Sequence, residues 1–231
     1  MLRLYHHPLD AASRAVRLVL GEYGLSSELI EERIWDRRPE FLIMNPAGTL
    51  PVLRDGGSGP AVCGLGPVLE FLDETTGAGM EARRLMPDDP LERSEVRRLC
   101  DWFGPKFDRE VTSHVVGEKL VKRYTGAAPD PTAIRAGRAN VKVHLAYIAY
   151  LMRERRWLAG PKLSYADLVA AAAFSCADYL GEVPWEFDEK AEGFAAKDWY
   201  ARVKSRPAFR PLLAEKLAGI APAAHYDDLD F

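Results

Sequence analysis

Apolar and polar residues alternate over Leu2 to Tyr5, and after His6-His7-Pro8 the pattern changes to Ala12, Val16, Val19 and Leu20, a helical spacing. A strand running into a helix is predicted. Glu28 to Arg33 reads as a second strand and Leu50 to Leu53 as a third, closed by the turn Asp55-Gly56-Gly57 before a fourth at Pro60 to Cys63. Strands three and four are therefore expected to form a hairpin. Pro67 suits the first residue of a helix through Leu72, because the amide it lacks would have no helical partner there. The order is β-α-β followed by β-β-α.

Beyond the polar, Gly- and Pro-containing stretch from Gly77 to Asp89, apolar residues recur only at spacings of three and four. Helices are expected over Leu91 to Trp102, Phe107 to Tyr124, Ile134 to Arg155, Tyr165 to Leu180 and Lys197 to Arg202. The loop Tyr124 to Thr132, YTGAAPDPT, separates two of them. The expected organisation is an α/β domain over residues 1–78 and an all-α domain over 90–231.

Composition narrows the function classes. With 231 residues, 48% apolar and 28% charged, the chain can bury a substantial core and is expected to be a folded, cytoplasmic protein. A net charge of -3, with no basic stripe, argues against a nucleic-acid partner. The opening MLRLYHHPLD does not read as a secretion signal, and the apolar run Leu168 to Ser175 is far short of the roughly 20 residues a membrane span needs. Cys63, Cys100 and Cys176 are odd in number and far apart, which suits reduced core thiols. His6 and His7 are adjacent and point different ways, so no metal is expected there.

Three motifs carry a family resemblance. They are Asn45-Pro46-Ala47-Gly48-Thr49-Leu50-Pro51, the capping box Ser164-Tyr165-Ala166-Asp167 ahead of an apolar helix, and Trp199-Tyr200-Ala201-Arg202-Val203 leading to Ser205-Arg206-Pro207-Ala208-Phe209. Together they resemble the glutathione-transferase superfamily, which implies a thioredoxin-like first domain, an all-helical second domain and a cis Pro51. The resemblance also implies a glutathione site around Leu50, Pro51, Gly64 and Leu65.

That site departs from the family pattern. The position resembling the family's thiolate-stabilising serine is Asp10, which when ionised only accepts hydrogen bonds and repels a thiolate. Asp10 also reads as a helix N-cap. Ser13 and Tyr5 remain weak candidates for a catalytic hydroxyl. The pair that grips the γ-glutamyl end falls on Gly64 and Leu65, which offer no side-chain donor. A polar group buried without its partner costs about 1–3 kcal/mol, so the site reads as vestigial and glutathione binding as weak or absent.

With the small-molecule site degraded, surfaces become the candidates. Trp35 lies in the charged stretch Glu31-Glu32-Arg33-Ile34-Trp35-Asp36-Arg37-Arg38, and the tail His225-Tyr226-Asp227-Asp228-Leu229-Asp230-Phe231 alternates acidic and apolar residues. Such a tail either packs back on the body or presents Tyr226, Leu229 and Phe231. These stretches, with the YHHP opening, are similar to a branch of transferase-like bacterial division proteins that bind FtsZ filaments. The resemblance implies a homodimer that binds the division polymer without using glutathione and is expected at the division site; the degraded site and the tail make Trp35, Glu118, Arg123 and Asp227 the candidate contacts of a non-enzymatic scaffold. Two alternatives stay open: a glutathione-dependent transferase or peroxidase with an atypical site, and an adaptor for another cytosolic protein.

Overall fold

The computed structural model describes residues 1–56, 59–185 and 192–229; Gly57 of the predicted turn and Phe231 of the tail lie outside the described residues. Strand β1 (Leu2–His6) leads through helix α1 (Ala11–Tyr23) to β2 (Ser27–Glu31), which pairs parallel to β1. Helix α2 (Pro39–Met44) precedes β3 (Val52–Asp55), β4 (Ala61–Cys63) and α3 (Leu65–Thr75). The sheet order is β2-β1-β3-β4, with β3 antiparallel to both β1 and β4.

Alternation in the strands decides which helix covers which face. Leu4 and Leu53 are fully buried in the main core with Val16, Val19, Val68 and Leu72 of α1 and α3, while Tyr5 and Val52 face Phe41 of α2. Strand two ends two residues earlier than expected, at Glu31, because the β1 residues available to pair with it end at His6. Helix α2 was not foreseen: it is six residues long and buries only Phe41, too little for a helical period to show. Helix α3 begins two residues before Pro67, which still lies among the first-turn positions whose amides have no intrahelical acceptor.

The helical half begins with α4 (Pro90–Asp101). Where the sequence suggested a break before Phe107, the helix continues through three π-helical turns, Trp102–Lys106, Asp108–Thr112 and Gly117–Val121. Helix α5 (Ser113–Val116) lies before the last turn and α6 (Lys122–Thr125) after it. Pro105 sits in the first π turn, whose wider geometry makes room for a ring that would clash with the carbonyl four residues back in an α-helix. Then follow α7 (Pro131–Met152), α8 (Tyr165–Tyr179), α9 (Glu192–Lys204) and α10 (Arg210–Ala214).

Every residue of α8 is buried, which explains its all-round apolar sequence YADLVAAAAFSCADY. At its start, the Asp167 carboxylate accepts from Ser164 N at 3.0 Å and completes a capping box. The same carboxylate accepts from Leu158 N at 2.8 Å and Trp199 Nε1 at 3.0 Å, so one side chain fixes the helix start, the loop before it and α9. Tyr23 of α1 meets Tyr165 of α8 through their hydroxyls at 3.0 Å, joining the α/β half to this central helix. No helix among the described residues is long and apolar enough to cross a membrane.

Candidate functional site

A cavity of about 310 Å³ lies between the two halves, lined in part by Leu50 and Leu65, two of the residues around which the family resemblance implies a glutathione site. The loop Asn45 to Pro51 forms one wall. Its shape is held by Asn45, whose Nδ2 donates to Thr49 O at 2.8 Å, and it ends in a cis Leu50-Pro51 peptide, as the resemblance implied. Leu50 lines the cavity and Gly64 N donates to Pro51 O at 2.9 Å. Gly64 adopts φ +93°, which a residue with a side chain rarely reaches, so this turn into α3 requires glycine. Leu65 then enters the cavity wall beside Gly104, where an added Cβ would sit 3.3 Å from Leu65 Cδ2.

Asp10 lines the cavity and caps α1, accepting from Ser13 N at 2.6 Å. Burial raises the Asp10 pKa against the lowering effect of the Ser13 bonds, and the nearby Asp108 raises it further. The Ser13 side chain is fully buried and does not line the cavity. Tyr5 lies on the opposite face of the sheet, 6.1 Å from the Phe41 ring, in a groove with Ile30 and Arg54. Neither weak hydroxyl candidate therefore lines the cavity. No cysteine replaces them: burial raises all three thiols, Cys176 to about 12. His6 and His7 are both lowered to about 4, mainly by burial, and among the described residues no group of three His, Cys, Asp or Glu could hold a metal ion.

Three of the four candidate surface residues, Trp35, Glu118 and Arg123, lie on or beside the end of the long helix that carries Tyr124. Trp35 stacks on Tyr124 with ring centroids 5.8 Å apart and planes 12° from parallel, while His7 meets it edge-on at 5.2 Å. Arg33 lies 5.1 Å over the other ring of the stack, Tyr124. The β2–α2 loop is thus clasped to the end of the long helix. Arg123 is exposed beside that clasp and close to Gly219, whose added Cβ would lie 3.4 Å from the guanidinium. Glu118 is engaged within the chain, accepting from Asp130 N at 2.6 Å and pairing with Lys122 at 2.6 Å, so it holds the α6–α7 connection in shape. Beneath these residues lies a separate apolar cluster of Leu9, Leu120, Cys176, Tyr179 and Tyr226, with Tyr124 and Ile220 packed against it.

The tail divides within two residues. Tyr226 is fully buried and hydrogen-bonded to Arg14 at 2.9 Å, whereas Asp227 is exposed and Leu229 is 42% exposed. Tyr226 packs back and Leu229 is presented. Arg14 itself is wholly buried, its Nε on Pro8 O at 2.5 Å and Nη1 on Ser175 Oγ at 2.8 Å. The sequence reading did not single out Arg14; the available signal was a charged residue four positions before Leu18 on the buried stripe of α1. Lys204 secures the same segment through the carbonyls of His225 at 3.3 Å and Asp228 at 2.5 Å.

His225 adds a pH-dependent contact. Its Nε2 lies 2.8 Å from the buried Asp178 carboxylate, which also accepts from Trp185 Nε1 at 2.7 Å. The hydrogen bond and charge of Asp178 raise the His225 pKa above 6.5 despite partial burial. A raised histidine stabilises fully below its unfolded pKa, and the contribution is lost as pH rises through the folded value. Urea unfolding midpoints compared between about pH 6 and pH 9 are expected to fall less in His225→Gln than in the parent chain.

Comparison with known proteins gives the same frame. The profile of the glutathione S-transferase N-terminal domain matches residues 11–75, and that of the C-terminal domain matches 115–207. FtsZ-localized protein A of Caulobacter vibrioides is 46% identical over 99% of this chain and 97% of its own length. The structure of FzlA from C. crescentus superposes with a TM-score of 0.90 at 46% identity, covering 100% of this chain and 99% of that one. A glutathione S-transferase from Sinorhizobium meliloti 1021 superposes with a TM-score of 0.94 at 49% identity over the whole of both chains.

Proposed function

The chain belongs to the glutathione S-transferase family, and from that premise we propose that it is a non-enzymatic member that binds FtsZ filaments and regulates bacterial cell division. One observation carries the reading against catalysis: the cavity presents Asp10 and Leu65 where a thiolate donor and a γ-glutamyl anchor would be needed. When ionised, the form its bond from Ser13 N favours, Asp10 only accepts hydrogen bonds and opposes the anion on which transferase or peroxidase chemistry depends. The partner is taken from the relative that spans nearly the whole chain and is named for its localisation with FtsZ.

Trp35, Arg123 and Asp227 form the contact surface, and Glu118 maintains the helix end that displays Arg123. The protein acts as a homodimer, so two such surfaces engage neighbouring filaments and gain by avidity. It is cytoplasmic and gathers at the division site. Electron microscopy of FtsZ assembled with GTP tests this reading: filaments are expected to associate laterally when the protein is added. Single, unchanged filaments, or a monomer in sedimentation equilibrium at the same concentration, would refute the cross-linking role.

The anionic cofactor gives a further expected result. Millimolar glutathione should leave the melting temperature of the protein unchanged, since at concentrations well below Kd the stabilisation from ligand binding vanishes. A clear upward shift would favour the enzyme reading.

A further inference from the structure

The interdomain cavity is lined by Leu50 and Leu65, two residues of the implied thiol site, together with two acidic side chains. Asp10 reaches it from the start of α1, and Asp108 from the second π turn of the helical half. No lysine or arginine is among the described residues that line it. Arg14, the cation nearest in sequence to Asp10, lowers the Asp10 pKa through its charge but gives its hydrogen bonds to Pro8 O, Ser175 and Tyr226. The remaining wall is largely apolar, with Ile34, Leu50, Leu65 and Phe103 enclosing a volume suited to a small ligand.

We infer that this cavity takes a cationic amphiphile, an ammonium group on a short aliphatic chain, and rejects anionic thiols. The ammonium sits between Asp10 and Asp108 while the chain lies against Leu50, Leu65 and Phe103. Burial raises the pKa of both carboxyl groups, Asp108 being the more exposed of the two, and Arg109 alone opposes that rise at Asp108. A bound cation would favour their ionised forms, so ligand and site stabilise each other. Glutathione, with its net negative charge and its thiolate, gives the two carboxyls no such stabilisation and is repelled by their ionised forms. Ile34 belongs to the turn Ile34–Asp36 that carries Trp35, so a ligand here also touches the clasp between the two halves.

The test is isothermal titration of the full chain at neutral pH with hexylammonium, hexan-1-ol, hexanoate and glutathione. Hexylammonium is expected to bind at least about tenfold more tightly than hexanol or hexanoate, a difference of about 1.4 kcal/mol. Asp108→Asn alone should reduce that preference. Asp10→Asn combined with Asp108→Asn should abolish it, and asparagine at position 10 retains helix-capping ability. Equal binding of hexanol and hexylammonium would overturn the proposal, as would tighter hexanoate or glutathione binding, no heat from hexylammonium, or an undiminished preference in the double variant. None of these failures would bear on filament binding, which is measured separately.

Discussion

Replacing Asp167 with alanine is expected to destabilise the protein by about 3–5 kcal/mol, because it strips several buried donors of one shared acceptor. Leu158 N, Ser164 N and Trp199 Nε1 all lie within 3.0 Å of this carboxylate, and Asp167 itself is fully buried. A surface N-cap lost to alanine costs only about 1 kcal/mol. The larger effect arises because this cap also joins the preceding loop and α9 to the central helix. Urea denaturation followed by tryptophan fluorescence measures it; a loss of about 1 kcal/mol would mean that the carboxylate caps α8 and little else.

The second large effect separates binding from folding within the tail. Asp227→Lys is expected to weaken association with FtsZ polymer by at least about tenfold while changing stability by less than about 0.5 kcal/mol, as is usual for exposed positions. Tyr226→Ala, one residue earlier, should cost about 3–5 kcal/mol through loss of a buried aromatic. It also removes one of the groups that satisfy the buried Arg14 guanidinium. Pelleting assays and urea unfolding on the same two variants decide this. Equal loss of binding and stability in both would make the tail a folding element with no contact of its own.

The parts of this structure that follow from local rules were legible in the sequence. Leu4 and Tyr5 alternate and fall on opposite faces of the sheet; Ser164 and Asp167 are spaced for a capping box and form one. The motif ending at Pro51 was legible in the same way, and its Leu50-Pro51 peptide is cis.

What depends on distant partners was not legible. Tyr226 and Asp227 are neighbours in an acidic-aromatic tail, yet the first is core because distant partners meet it, Tyr179 at its ring and Arg14, 212 residues away, at its hydroxyl. Gly104 and Pro105 signal a helix break by local propensity, but packing carries the helix through them in a π turn. Asp108 gave no signal at all, because its place in the cavity depends on how the two halves close over Leu50 and Leu65.

The central claim, that a transferase fold here serves as a filament-binding scaffold, is tested most directly by co-sedimentation with FtsZ polymerised by GTP at physiological salt. The protein should appear in the pellet only when polymer is present, to the same extent with and without millimolar glutathione. Polymer that pellets while the protein stays in the supernatant would contradict the claim.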